Sequence, residues 1–248
     1  MNLLRSDQST LTVDQWNLLS NLCHCYDDYA GLSIGEQYMS QQNSLPPRLR
    51  FKSASVIQLY QMTLDAGQSL YKNNRDFLSL SADDRSILLH STSPYTGSVS
   101  SNFIVCQIRL VESPTYYDTL EMITSETIVS MMKRLLPTRM NFDVIVVKLF
   151  LAILSFSTIG CSIYSNNSSG NLSNIQEVLR IQDRYIELTW RYLLYKCDYE
   201  QAVKCFSDFI SCIFLTTEAV VEARDVEWFT NTIDSIAQKT EQTLSFNQ

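Results

Sequence analysis

The stretch Asp76–His90 reads DFLSLSADDRSILLH and combines an aromatic residue, two adjacent carboxylates and one of the two histidines in the chain. Ser81 precedes Asp83 and Asp84 in an order typical of a helix N-terminus, where a hydroxyl caps free N–H groups and negative charge suits the helix dipole. Neighbouring side chains on a helix do not face each other, so these two carboxylates make a poor catalytic acid pair. The stretch therefore predicts an elbow at which one helix ends and another begins.

The composition places this elbow in a helical protein. Apolar residues make up 45% of the 248 residues. Gly and Pro, which are common in loops and hairpin turns, are scarce, with 6 Gly and 5 Pro. The net charge of −7, without a cluster of Lys and Arg, argues against direct binding of nucleic acid. Because no linker divides the chain, we expect a single domain over residues 1–248, with a core at about 11–230 and a C-terminal tail at 231–248.

Apolar residues recur at helical spacing on both sides of the elbow. Thr12 fits the N-cap of the first helix, and Pro137 is expected to end the helix that starts at residue 120. Residues 31–47 and 91–97 are predicted as loops, whereas residues 98–111 fit either a short hairpin or a helix. Further helices are predicted over residues 11–29, 54–71, 120–136, 142–156, 175–195 and 199–216.

One segment, from Val144 to Tyr164, is nearly apolar and has about the length that spans a bilayer. Lys148 interrupts this segment early, and its later part contains several Ser and Thr residues. A helix that is apolar on all sides is also typical of the middle of a thick helical domain. A buried core helix is therefore the preferred interpretation, with a single membrane span as the alternative.

The side chains that could carry catalysis or bind a metal do not form a known motif. The seven cysteines include no CxxC pair, and the sequence has neither a glycine-rich phosphate loop nor an HExxH zinc motif. His24 and His90 are interpreted as ordinary surface or core residues. We therefore expect a protein that is not an enzyme and that uses no metal and no cofactor, with an all-α enzyme as the alternative.

Extended back to Lys72, the elbow reads KNNRDFLSLSADDRSILLH and resembles the signature of nuclear receptor ligand-binding domains. The family pattern runs from a Lys to a Phe, then to a Leu, an Asp-Gln pair and a final Leu-Leu-Lys. Arg85 stands in place of the Gln, and His90 stands in place of the last Lys. The matching residues are Lys72, Phe77, Leu80, Asp84, Leu88 and Leu89, of which Phe77, Leu80, Asp84 and Leu88 form the fold signature.

The resemblance extends more weakly to residues 146–156, 175–195 and 205–215, and it implies an all-α, three-layer antiparallel α-helical sandwich that encloses a pocket. It also implies a small lipophilic ligand in that pocket and a coregulator peptide, an LxxLL helix, in a surface groove. The predicted ligand-binding residues are Val56, Leu59, Tyr60, Thr63, Met131 and Met132. The predicted groove residues are Gln68, Lys72, Arg85, Ser86, Leu89 and His90.

Two departures from the family bear on function. The family's activation helix carries a Glu between two apolar pairs, and neither Glu227 nor Glu241 has such neighbours, so weak ligand-dependent activation is expected. This sequence also does not contain the cysteine pairs of the family's DNA-binding module, so either that module lies outside this sequence or the protein lacks it. If it is lacking, the resemblance favours a homodimer or a heterodimer with another nuclear receptor. The predicted dimer face is an apolar stripe at helical spacing, formed by Phe206, Phe209, Ile210 and Ile213.

The resemblance thus implies transcription regulation in the nucleus, with the cytoplasm as a second compartment and without a membrane. In the first interpretation, the domain binds a lipophilic ligand, a coregulator helix or a dimer partner. In the second, it is a ligand-independent helical interaction scaffold that has lost the activation function.

Overall fold

The computed structural model describes residues 11–26, 30–140, 142–158 and 171–246. Across these residues the chain is helical, with short 3-10 turns and no β-strand, so the all-α prediction is confirmed. The α-helices are α1 (Val13–Cys25), α2 (Ala30–Ser44), α3 (Ser53–Ala66), α4 (Ser69–Asn73), α5 (Arg75–Leu78), α6 (Ala82–Gln107), α7 (Pro114–Ile123), α8 (Glu126–Arg139), α9 (Val144–Ser155), α10 (Ile175–Lys196), α11 (Tyr199–Glu222) and α12 (Glu227–Phe246).

The helices form several layers around α6 and α9. Helix α6 packs against α2 and α3, and also against α9, α11 and α12, while α9 packs against α10. Because α6 and α9 have neighbours on several sides, most of their side chains are buried. This position explains why the sequence of α9 is apolar nearly all round. No helix in the described part of the chain combines the length and apolar character needed to cross a bilayer.

Helix α2 occupies residues that were predicted as a loop, so that prediction is wrong. Its sequence has little apolar periodicity because it approaches α6 through small residues. An added Cβ on Gly31 would lie 2.3 Å from Ile104 Cδ1, and one on Gly35 would lie 2.7 Å from Ile108 Cγ2. The glycines therefore allow a close helix contact that a search for apolar stripes does not detect.

Helix α6 runs through residues 91–107, so the predicted loop at 91–97 is wrong and the ambiguity at 98–107 is resolved as helix. A loop was predicted there because Pro94 and a run of Ser and Thr residues disfavour a helix interior. In the fold these hydroxyls bond back to the helix: Thr92 Oγ1 donates to the Leu88 carbonyl at 2.6 Å, and Ser91 Oγ donates to the same oxygen at 3.2 Å. Burial and these bonds together sustain the helix.

Two further boundaries differ from the prediction. The helix expected over 120–136 is divided at Thr124 and Ser125, where the Ser125 hydroxyl caps α8, and α8 passes Pro137 to end at Arg139. The apolar segment that raised the membrane alternative is helical only over Val144–Ser155, and its last residues lie outside the described part of the chain. The N-cap at Thr12 is confirmed, since its hydroxyl accepts a hydrogen bond from the Gln15 N–H.

The packed core extends beyond residue 230. Residues 231–246, which lie in the predicted C-terminal tail, belong to α12, which lies against α3, α4 and α6. The buried side chains of this segment are Thr232, Ile233, Ile236, Ala237, Thr240 and Leu244.

Candidate functional site

The elbow consists of two capped helix starts separated by a short break. The Asn74 side chain accepts a hydrogen bond from the Phe77 N–H at 3.0 Å and begins α5. The Ser81 hydroxyl accepts one from the Asp84 N–H at 3.1 Å and begins α6. Phe77 is fully buried beneath the break, with its ring centroid 5.0 Å from that of Tyr71. Leu80 and Leu88 are buried as well, so the chain turns around an apolar wedge.

Asp84 connects the elbow to a distant segment. Its carboxylate accepts hydrogen bonds from the N–H and the hydroxyl of Ser173, both at 2.6 Å, just before α10 begins. The Asp84 side chain is buried, and burial alone would raise the pKa of its carboxyl. The hydrogen bonds from Ser173 outweigh that effect and hold the pKa of Asp84 below its ordinary value. Asp84 is therefore an ionised structural anchor rather than a proton donor.

The predicted coregulator groove is partly covered by the last helix. The Ser86 hydroxyl donates to Glu241 Oε1 at 2.5 Å, and His90 Nε2 lies 3.3 Å from Glu241 Oε2. Glu241 belongs to α12, so the end of α12 lies across these two residues. The hydrogen bond from Ser86, followed by the contact with His90, lowers the pKa of Glu241 below its ordinary value despite partial burial.

The other predicted groove residues do not contact α12 through Glu241, and three of them are buried. Gln68 and Leu89 are fully buried. Arg85 is also buried, and its guanidinium donates to the Leu78 carbonyl at 3.1 Å. Lys72 is half-buried, with its ammonium 3.9 Å from Asp65 Oδ1. The described residues thus bring Ser86 and His90 to Glu241 but do not unite all six residues in one open groove.

A cavity of about 60 Å³ lies between α3, α6, α7, α8, α11 and α12. Of the residues predicted to bind a ligand, only Tyr60 and Met132 line it. Val56, Leu59, Thr63 and Met131 are buried elsewhere in the core. The sequence did not indicate Thr216 or Trp228, which also line the cavity, because each is brought there by a different helix.

Tyr60 forms one side of the cavity and is bonded within the core. Its hydroxyl shares a short hydrogen bond with the hydroxyl of Tyr116, and its ring centroid lies 6.0 Å from that of Trp228. Burial raises the pKa of both phenols, so neither ionises near neutral pH. The indole N–H of Trp228 donates to the Ile123 carbonyl at 2.7 Å, which fixes the ring in place.

The predicted dimer residues are divided between the core and the surface of α11. Phe209 is buried, with its ring stacked on Phe150 at a centroid distance of 3.5 Å. Phe206 and Ile213 are half-buried and pack against the core, whereas Ile210 is 42% exposed. Four further apolar residues are exposed on the same face of α11 and were not predicted, although together with Ile210 they follow one another at alternating intervals of four and seven residues. These are Tyr199, Val203, Phe214 and Val221.

No protein-family model matches the chain, and no significant match is found among curated proteins. Within the described residues, no group of three or more His, Cys, Asp or Glu side chains is arranged to hold a metal ion.

Proposed function

We propose that this chain is a divergent nuclear receptor ligand-binding domain that regulates transcription through a protein partner. The observation that carries the proposal is the elbow. The residues that match the family signature lie at a break between helices, where Phe77 forms a buried wedge and Asp84 anchors the start of α6 to Ser173. An all-α, multi-layer fold around this elbow supports the same assignment.

A protein partner is favoured over a hormone-sized ligand or a coregulator peptide. The cavity of about 60 Å³ is far smaller than the roughly 300–1,000 Å³ typical of small-molecule sites. The end of α12 contacts Ser86 and His90, where an LxxLL helix would lie. Both observations favour a ligand-independent interaction scaffold in which the usual activation route is closed.

The surface proposed for the partner is the apolar stripe of α11, defined by Tyr199, Val203, Ile210, Phe214 and Val221. Phe214 is 70% exposed and belongs to a row of exposed apolar side chains on one helix face, and such rows mark interaction surfaces more often than single exposed residues do. Tyr199 and Val221 lie equally far from Ile210 along the helix, and so do Phe206 and Phe214, whereas Val203 has no apolar counterpart at the same distance. Two copies related by a two-fold axis at Ile210 would therefore place apolar side chains opposite each other, so the proposed partner is a second copy of this chain.

The test is a reporter assay in which the full chain is fused to an unrelated DNA-binding domain and expressed in cells. We expect the fusion to change transcription of the reporter, with repression as the expected direction because α12 covers part of the predicted coregulator groove. Phe214→Glu should abolish the effect by placing a charge in the apolar stripe. The matched control is Met122→Glu on α7, since Met122 is 80% exposed and lies outside the stripe.

Two outcomes would count against the proposal. One is a fusion that accumulates in the nucleus and leaves the reporter unchanged. The other is a Phe214→Glu fusion that acts as strongly as the unmodified chain, because the effect would then not depend on the stripe.

A further inference from the structure

The connection between α2 and α3 has the highest local concentration of positive charge in the chain. Arg48, Arg50 and Lys52 lie within five residues, and no Asp or Glu occurs between Glu36 and Asp65. The whole chain has a net charge of −7 and these three residues contribute +3, so the rest of the chain has a net charge of −10. The connection is therefore a positive loop on an acidic protein.

Phe51, which lies between two of these cations, has a strained backbone. Its φ of 53° is in the left-handed region, which is unfavourable for a bulky residue. Buried side chains hold this conformation, since Gln42 accepts a hydrogen bond from the Phe51 N–H at 2.7 Å and Thr119 donates to the Phe51 carbonyl at 2.8 Å. The Gln42 amide is held in turn by a bond to Ser55 at 2.9 Å. Strained residues that the surrounding structure keeps in place are concentrated at binding sites.

The strained conformation separates the aromatic side chain from the charged ones. The ring of Phe51 is buried beside Tyr38, at a centroid distance of 6.4 Å. In contrast, the side chains of Arg48, Leu49 and Lys52 are exposed. Neither Arg48 nor Lys52 forms an ion pair with a carboxylate in the described part of the chain. Both cations are therefore available to a partner in a loop whose shape is already fixed.

A cleft of about 450 Å³ adjoins the loop. The Arg50 guanidinium donates to the carbonyls of Leu45 and Asn43 at 2.9 and 3.1 Å, and Asn43 also lines the cleft. The cleft is lined by one charged side chain of each sign and by three apolar ones, namely Glu36 and Arg109, and Leu32, Met39 and Ile108. The cleft is thus suited to an apolar side chain, whereas the loop is suited to carboxylates.

We infer that the loop from Pro46 to Lys52 and the adjoining cleft bind a short acidic segment of a partner protein. Carboxylates of the segment pair with Arg48 and Lys52, and one apolar side chain of the segment enters the cleft. Three cations are too few to hold a nucleic acid or an anionic membrane against the net charge of −10 on the rest of the chain. A short segment contacts only the loop, and charges more than about 8 Å away are largely screened at physiological salt.

The experiment measures the fluorescence anisotropy of a labelled peptide of glutamates with one central leucine during titration with the full chain. We expect a saturable rise in anisotropy at low salt and a weaker affinity at high salt, because the ion pairs are exposed. A peptide in which glutamine replaces every glutamate should not bind.

Substitutions separate the charge of the loop from its conformation. Arg48→Glu and Lys52→Glu should each weaken binding roughly 3- to 10-fold, because each reverses one exposed charge. The matched control is Lys239→Glu, which makes the same change of charge at an exposed position on α12 and should leave the affinity within about 2-fold. Thr119→Val keeps every cation but removes the bond to the Phe51 carbonyl, and it should weaken binding about 2- to 5-fold through lost preorganisation.

The inference is overturned if the glutamine peptide binds as tightly as the glutamate peptide, or if Arg48→Glu and Lys52→Glu bind like Lys239→Glu. Tighter binding to phosphatidylserine vesicles or to single-stranded DNA than to the peptide would also overturn it, since the loop would then recognise a lipid surface or a nucleic acid. Equal affinity in Thr119→Val would contradict the role of the held conformation.

This site goes beyond the proposed function, because the loop does not belong to the stripe of α11. Phe214→Glu should therefore bind the glutamate peptide as tightly as the unmodified chain does. The peptide titration does not depend on self-association, so failure here is distinguishable from failure of the proposed function.

Discussion

Glu241, near the end of α12, accepts a hydrogen bond from Ser86 in the second turn of α6 at 2.5 Å, although 155 residues separate them in the sequence. This contact holds the last helix across the position where a coregulator helix was expected. Because His90 approaches the other carboxylate oxygen of Glu241, a single side chain bonds two of the predicted groove residues. The last helix of the chain therefore covers this part of the predicted groove.

Glu241→Ala should release the end of α12. The change removes the acceptor for Ser86 and the partner of His90, and we expect a loss of about 1 kcal/mol in the free energy of unfolding, since the contact is partly exposed. Hydrogen exchange of the backbone amides of residues 237–246 should become faster. The adjacent, exposed Gln242 offers a matched control, and Gln242→Ala should leave the exchange unchanged. Equal exchange rates in the two variants would show that Glu241 does not hold the helix.

The same contact should weaken in acid. Hydrogen bonding to Ser86 lowers the pKa of Glu241 in the folded state, so its contribution to stability is present above the ordinary pKa of a Glu and is lost as pH falls through the lowered value. A plot of unfolding free energy against pH, obtained by urea denaturation, should therefore fall below about pH 4. In Glu241→Gln the unfolding free energy should fall less steeply with pH, because the amide at position 241 cannot be protonated in this range. Superimposable curves for the two proteins would contradict the assignment.

Asp84→Ala should destabilise the elbow by about 1–2 kcal/mol, because the N–H and hydroxyl of Ser173 would lose their acceptor. Urea denaturation of the purified protein measures this difference. Asp83 precedes Asp84 in the same helix turn but is exposed, so Asp83→Ala should lower stability by less than about 1 kcal/mol. If the two variants were equally stable, Asp84 would not be the anchor of the elbow.

The crossing of α3 and α6 depends on Gly67. An added Cβ at Gly67 would lie 3.0 Å from the Thr96 carbonyl oxygen and 3.1 Å from Gly97 Cα, which are backbone atoms that cannot turn aside. We expect Gly67→Ala to destabilise the protein by about 1–3 kcal/mol in thermal or urea unfolding.

Gly97 provides the comparison at the same crossing. A Cβ there would first meet the end of the Leu64 side chain at 3.1 Å, which is able to move, and its nearest backbone atom, the Leu64 carbonyl oxygen, would lie farther away, at 3.3 Å. Alanine also favours a helix interior. Gly97→Ala should therefore remain within about 1 kcal/mol of the unmodified protein. A larger loss for Gly97→Ala than for Gly67→Ala would show that the crossing is not limited by backbone contact.

The parts of the fold that were predictable from sequence were those with a local signal. The helix caps at Thr12 and Ser81 were predictable because a capping hydroxyl bonds a backbone N–H only three residues further on. The buried position of Phe77 was predictable because this aromatic residue lies between two helices. Helix α2 lacked such a signal, because its contact with α6 relies on the absence of side chains at Gly31 and Gly35.

The contacts of the candidate site were less predictable because they join distant segments. Glu241 was rejected as the glutamate of an activation helix because its neighbours in the sequence are polar. Those neighbours do not determine its contact, however, because its hydrogen-bond partner Ser86 lies in α6. Nothing in the sequence indicated that Thr216 would line the cavity, since Thr216 and Thr217 are adjacent in the same helix. Only the packing of α11 against other helices places Thr216 beside the cavity, whereas the Thr217 hydroxyl bonds the Ile213 carbonyl of its own helix.

Self-association through the α11 stripe is tested most directly by sedimentation velocity of the purified full chain. We predict a dimer at about 10 μM for the unmodified protein and for Met122→Glu, and a folded monomer for Phe214→Glu, because a charge at the most exposed position of the stripe should weaken association by at least about 2 kcal/mol. An unmodified chain that remains monomeric at this concentration, or a Phe214→Glu variant that still forms the dimer, would contradict the proposed interface.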